Sequence, residues 1–206
     1  MQLYFTDYSP FARIARIVLR ERRLEDQVDE VTAVTRTPNS SYYSINPSGR
    51  VPYLEIGRGD GIEGSQPVCY FLDRLDGAPQ LDAPSGDAGL AHRRLEEYGR
   101  SVMDGTSVWL RELRRAPEDR SLATIEHERQ RLSRLTDFWE SEICHPLMQA
   151  SQLNMPQVTL ACALLLEEWY PGLRWRSGHP RLSAWVDTYA VRPSFVATRP
   201  FEKIEG

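Results

Sequence analysis

With 206 residues, 41% hydrophobic and 26% charged, the chain has the make-up of a globular protein of one large or two small domains. A net charge of −4 argues against a nucleic-acid surface, which needs a basic face, and no apolar run is long enough to span a bilayer. Three widely spaced cysteines (Cys69, Cys144, Cys162) argue against a disulfide framework, and His92, His127, His145 and His179 show no ligand spacing, so no metal site is expected.

In chain order, Gln2 to Thr6 is short, apolar and aromatic, and predicts a strand. The opening Met1-Gln2-Leu3-Tyr4-Phe5 lacks the basic flank of a signal peptide, so a reducing cytoplasm is the expected setting. Phe11, Ile14, Ala15, Val18 and Leu19 fall on one helical face, with Arg13, Arg16 and Arg20 on the other side. Ser9 sits where an N-cap belongs and Pro10 at the first helical position. Val28 to Val34 predicts a second strand, and Thr37 to Ile45 a polar loop with room for one helical turn. Val51 to Ile56 is a third strand, Gly57-Arg58-Gly59-Asp60-Gly61 a hairpin turn, and Ile62-Glu63 the start of a fourth strand. Gly64-Ser65-Gln66-Pro67 repeats the cap-then-proline pattern ahead of Val68, Phe71, Leu72 and Leu75. The glycines of the hairpin do not lead from a strand into a helix, so they form no phosphate loop, and Arg58-Gly59-Asp60 reads as part of that turn.

Gly77 to Gly89 is rich in glycine and proline and reads as a linker. Beyond it the pattern is helical. Leu90 to Leu113 is one long helix, Pro117 opens a second that runs through Ile143, and Thr159 to Tyr170 is apolar enough for a buried central helix. His179-Pro180 precedes a helix with Leu182, Trp185, Val186 and Tyr189, which Arg192-Pro193-Ser194 breaks before a last turn at Phe195 and Val196.

The stretch Asn46-Pro47-Ser48-Gly49-Arg50-Val51-Pro52 stands apart. Proline gives no N–H to a sheet ladder, so Pro52 belongs at a strand end, an edge or a bulge. A Val-Pro bond can be cis. Such a kink would turn the Val51 N–H and C=O outward, ready to pair with an extended peptide-like ligand. The element order gives a strand–helix–strand unit, whose crossover prefers to be right-handed and parallel, then an antiparallel hairpin and a helix. The expected architecture is a small α/β domain over 1–77, a linker over 78–88 and an all-α domain over 89–206.

In this order and spacing, four segments resemble the cytosolic glutathione transferases, in their bacterial Ser-type branch. They are Tyr8-Ser9-Pro10-Phe11-Ala12-Arg13, the Asn46 to Pro52 stretch, Gly64-Ser65-Gln66-Pro67-Val68, and Thr159-Leu160-Ala161-Cys162. The resemblance implies the glutathione transferase fold: an α/β thioredoxin-like N-terminal domain (βαβ-ββα) and an all-α C-terminal helical bundle. It also implies glutathione as co-substrate, a homodimer, and a hydrophobic electrophile as the second substrate.

The same resemblance implies roles. Ser9 would donate its hydroxyl to the glutathione sulfur beside a helix N-terminus, with Tyr4 and Tyr8 as rivals; alternatively Ser9 only caps its helix. Val51, before Pro52, would pair with the cysteinyl backbone. Arg50 would reach the glycyl carboxylate, or stand solvated in its turn. Ser65 would hold the γ-glutamyl carboxylate, or serve as a plain N-cap. Gly64 stands where the family has an acidic residue for the γ-glutamyl ammonium. Glu63 is adjacent but should face the other way, and Asp104 would supply the charge from a partner subunit or be a solvated helix residue. Thr159 would cap its helix, but Cys162 replaces the aspartate that would return the hydrogen bond. Tyr8, Phe11, Met103, Ser107 and Trp109 would line the electrophile pocket or belong to the core. The leading expectation is conjugation of glutathione to an electrophile. Glutathione-dependent peroxide or disulfide reduction, and a non-catalytic protein-binding module, are the alternatives.

Overall fold

The computed structural model describes residues 1–57, 59–170 and 172–200. Arg58, within the predicted hairpin turn, lies outside the described residues, as does 201–206 at the end of the expected helical domain. The chain forms two compact units, one of Met1–Asp82 with Pro193–Phe201, the other built on Ala83–Arg192.

The first unit holds a four-stranded sheet: β1 (Gln2–Phe5), β2 (Asp29–Thr32), β3 (Tyr53–Gly57) and β4 (Asp60–Glu63), in the order β2-β1-β3-β4. β1 and β2 are parallel, with Gln2 opposite Asp29; β3 runs antiparallel to both β1 and β4. The helix α1 (Pro10–Glu21) makes the crossover between the parallel pair, and α2 (Ser65–Arg74) follows the hairpin. This is the expected thioredoxin-like βαβ-ββα order. Leu3, Leu54, Ile14, Ile17, Val18, Val68 and Leu72 are fully buried and make its core.

The arginine side of α1 does not face water. Arg13 and Arg16 are buried. Arg13 Nη2 donates to the Phe195 carbonyl at 3.0 Å, and its Nε lies 3.4 Å from Thr198 Oγ1. Arg16 lies over the Phe5 ring and donates to Glu30 Oε1 at 2.6 Å, while Arg20 holds both Glu30 oxygens. A buried guanidinium needs carboxylate or carbonyl partners, and these come from strand β2 and from the short α7 (Pro193–Val196). That anchorage places residues 193–200 with the first unit, although the pattern groups them with the helical domain. The start of the expected linker is likewise packed: buried Asp73 accepts the N–H groups of Gln80, Leu81 and Asp82 at 3.0–3.1 Å.

The second unit is helical: α3 (Asp87–Leu113), α4 (Leu122–Glu142), α5 (Met155–Leu164) and α6 (Pro180–Ala190). All ten residues of α5 are buried, as its apolar composition requires. A Cβ on Gly99 of α3 would meet the Leu160 nitrogen of α5 at 3.2 Å, so glycine permits their close approach. Two predicted starts move. Pro117 begins only a 3-10 turn, Pro117–Asp119; the long helix starts at Leu122, where Ser121 accepts the Thr124 N–H at 3.2 Å. The central helix starts at Met155, not Thr159. Asn154 Oδ1 accepts the Gln157 N–H at 3.1 Å, and Gln157 Oε1 accepts the Asn154 N–H at 3.0 Å, a reciprocal box with Pro156 in the first turn. Thr159 is therefore a mid-helix residue, and its Oγ1 is buried without a hydrogen-bond partner among the described residues.

Candidate functional site

The strand register brings three chain segments to one end of the sheet. Tyr4 pairs with Tyr53, and Tyr53 with Glu63. So the end of β1, the start of β3 and the end of β4 lie side by side. Ser9 and the N-terminus of α1 follow β1; Val51-Pro52 precedes β3; Gly64 and the N-terminus of α2 follow β4. The Val51-Pro52 bond is cis, and the Gly64 N–H donates to the Pro52 carbonyl at 3.0 Å. Two helix N-termini thus flank one kinked strand start. Each carries the partial positive charge of a helix N-terminus, which favours anions.

Ser9 is extended (φ −88°, ψ 109°) and half-buried, and its Oγ accepts the Ala12 N–H at 3.2 Å. A hydroxyl has one proton and two lone pairs. Capping occupies a lone pair and leaves the proton as a donor, so capping and donation to a sulfur are compatible. The rival Tyr4 is differently placed. Its hydroxyl lies 2.8 Å from Gln2 Oε1 and 3.2 Å from Glu55 Oε2, in a cluster with Tyr42 and Ala33. Burial, then the hydrogen bond and charge of Glu55, raise its pKa. Tyr8 is exposed.

The turn before Pro52 is braced from within the unit. Arg50 carbonyl accepts from Tyr42 Oη at 2.6 Å and from Asn46 Nδ2 at 2.9 Å. A carbonyl and the following N–H point opposite ways across a trans peptide plane, so fixing the Arg50 carbonyl inward aims the Val51 N–H outward. Burial pushes the Tyr42 hydroxyl up to about 12, against a lowering hydrogen bond from Asn46, so it stays a neutral donor. The Val51 side chain packs against the Tyr4–Tyr42 cluster. The Arg50 side chain is well exposed, with its guanidinium 3.7 Å from Glu63.

Ser65 is buried and is the first residue of α2, so it is not a plain N-cap. The cap position belongs to Gly64, at φ +94° and ψ 146°, where no side-chain cap is made. An L residue rarely adopts that backbone, while a Cβ there would find ordinary contact with Pro67. Conformation rather than space therefore keeps Gly64 a glycine. Glu63 does turn away: its carboxylate is taken up by Asn46 and Ser48 of the turn. Sequence reasoning named Asn46 and Glu63 but missed that they, with Tyr42, brace the Arg50 carbonyl, since the partners lie up to 17 positions apart.

Of the remaining candidates, Phe11 on α1 is half-buried. Asp104, Met103, Ser107 and Trp109 all lie on α3 of the helical unit. Asp104 is exposed, Ser107 half-buried, Met103 fully buried, and Trp109 buried edge-on to Tyr170. Accessible surface is thus kept by Tyr8, Phe11 and Ser107. Among the described residues no cluster of three or more His, Cys, Asp or Glu could hold a metal, and no helix is long and apolar enough to cross a membrane.

Comparison with known proteins follows the same lines. Residues 8–75 match the family model for the N-terminal domain of glutathione S-transferase. An uncharacterized GST-like protein, YibF, of Escherichia coli (strain K12) is 24% identical over 203 residues, covering 97% of this chain and 98% of its own length. A glutathione transferase family member from Pseudomonas fluorescens Pf-5, solved with bound glutathione, superimposes with a TM-score of 0.86 at 27% identity, covering 97% of this chain and 98% of its own. Gtt2 of Saccharomyces cerevisiae shares the fold, with a TM-score of 0.82 at 20% identity over 96% of this chain and all of its own. The architecture is the glutathione transferase fold: a thioredoxin-like N-terminal part and a mostly helical C-terminal part.

Proposed function

We propose that this chain is a glutathione transferase of the Ser-type branch, which joins the glutathione sulfur to a hydrophobic electrophile. The carrying observation is the convergence of Ser9, the Val51-Pro52 strand start and the α2 N-terminus at one end of the sheet. The bound glutathione of the Pseudomonas relative supports the same ligand here. Glutathione would lie extended along β3. Its cysteinyl backbone would pair with Val51 as an added strand, its γ-glutamyl carboxylate would sit at the α2 N-terminus by Ser65, and its glycyl carboxylate would face Arg50.

The thiolate is the nucleophile. Each unit by which its pKa falls needs about 1.4 kcal/mol of selective stabilisation. The Ser9 O–H and the α1 N-terminus supply that, and the thiol proton leaves to solvent. The sulfur then bonds to the electrophilic carbon, which expels its leaving group, as chloride does from an aryl chloride. Tyr8 and Phe11 are the proposed electrophile contacts in the first unit. The reading carries a homodimer in the cytoplasm, with Asp104 of the partner subunit supplying the charge that Gly64 lacks.

Glutathione titration by calorimetry, followed by assays with an aryl halide and with cumene hydroperoxide, tests it. Binding with aryl halide turnover is expected. Peroxide turnover alone would make the chain a glutathione peroxidase. Absence of glutathione binding would leave a transferase-like binding module, the reading that Gly64 favours.

A further inference from the structure

Asn46 is buried, and its amide nitrogen carries two hydrogens. One meets the Arg50 carbonyl at 2.9 Å; the other meets Glu63 Oε2 at 3.0 Å. The same Glu63 oxygen accepts the Ser48 hydroxyl, and Glu63 Oε1 lies 3.7 Å from the Arg50 guanidinium. Ser48 Oγ in turn accepts the Arg50 N–H at 3.1 Å, and Asn46 Oδ1 accepts the Ser48 N–H at 3.3 Å. Asn46, Ser48 and Arg50 of the turn thus all meet one carboxylate, carried by the last residue of β4. The Ser48 hydrogen bond is the main reason the Glu63 carboxyl titrates below its usual value; Asn46 and Arg50 add to it and burial opposes it.

We infer that Glu63 is a positioning residue for the tripeptide: it locks Asn46 and Ser48, and through them orients the Arg50–Val51 peptide whose N–H meets the ligand backbone. This rests on the glutathione reading above. In this role the carboxylate need not touch the ligand: Oε2 accepts from Asn46 and Ser48 of the turn, and Oε1 lies near Arg50. It acts on where the Val51 N–H points. Loss of the carboxylate frees one Asn46 hydrogen and the Ser48 hydroxyl, and the Arg50 carbonyl loses a fixed donor. Thiol activation at Ser9 lies on another segment and is left intact.

The test combines glutathione calorimetry with aryl halide kinetics on wild type, E63A, E63Q and S48A. E63A is expected to raise the glutathione Kd and KM about tenfold, the scale of losing hydrogen bonds to a charged group, with kcat nearly unchanged. E63Q still offers an acceptor and is expected to fall between E63A and wild type. S48A, at an exposed turn position, is expected to raise KM in the same direction and to add less than its full effect in the E63A background, since the two share one contact. Unchanged or tighter binding in E63A, or a lower kcat at unchanged KM, overturns the inference while the glutathione reading stands. No binding by the wild-type chain overturns both.

Discussion

Ser9 Oγ accepts the Ala12 N–H at 3.2 Å, so one hydroxyl both caps α1 and keeps a proton to give. The two roles separate by substitution. Ser9→Ala removes both: stability falls by about 1 kcal/mol, and turnover falls about 10- to 100-fold, the worth of a hydrogen bond to a charged group. Ser9→Asp still caps the helix but carries no proton at neutral pH. It is expected to melt with wild type and to lose turnover as Ser9→Ala does. Thermal melts beside aryl halide assays check this; full activity in Ser9→Asp would reduce Ser9 to a cap.

Gly64 is held to its backbone conformation, so restoring an acidic residue has two opposed effects. Gly64→Glu is expected to cost about 1–3 kcal/mol of stability. It is also expected to tighten glutathione several-fold, the scale of an exposed ion pair of up to ~1 kcal/mol. Calorimetry and melting on the same preparation read both. A variant as stable as wild type contradicts the assigned backbone strain.

Glu30 gathers Arg16 and Arg20. Burial alone would raise its carboxyl; the hydrogen bonds from Arg20 and Arg16 outweigh burial and hold it below its usual value. The folded pKa is therefore the lower one. The pair's contribution is present above the unfolded carboxylate value of ~4.3 and is lost as pH falls through the folded value. Glu30→Gln is expected to cost about 2 kcal/mol at neutral pH, and the gap to wild type should close on acidification. A gap that persists at the acid end contradicts the assignment.

The central helix of the second unit separates two candidate caps. Asn154→Ala breaks the box with Gln157 and the Nδ2 contact to Leu147 carbonyl, and is expected to cost about 1–2 kcal/mol. Thr159→Val removes a buried hydroxyl that has no partner among the described residues and is expected to be neutral or stabilising. Denaturant titrations of the two variants check the order; a larger loss at Thr159 would return the cap to that residue.

What the sequence made legible was local. Ser9-Pro10 signals its cap because donor and acceptor lie three residues apart, and Pro52 announces a strand start by lacking an N–H. Asn154-Met155-Pro156-Gln157 carries an equally local signal, but the apolar run beginning near Thr159 masks it. The buried arginines of α1 were not legible. Periodicity sorts residues by face, and Arg13 is satisfied by Phe195 and Thr198, more than 180 positions away. The bracing of Val51 by Tyr42, Asn46 and Glu63 escapes for the same reason: β4 meets the turn only through the sheet register.

The central claim is that the sulfur of bound glutathione is held as a thiolate by the Ser9 hydroxyl. Ultraviolet titration of the thiolate in the complex tests it most directly. The thiol is expected to lose its proton at least about one unit below its free value of ~8.5, and to return toward that value in Ser9→Ala. A bound thiol that titrates in the wild-type complex as it does in water, or that is unmoved by Ser9→Ala, would contradict the account.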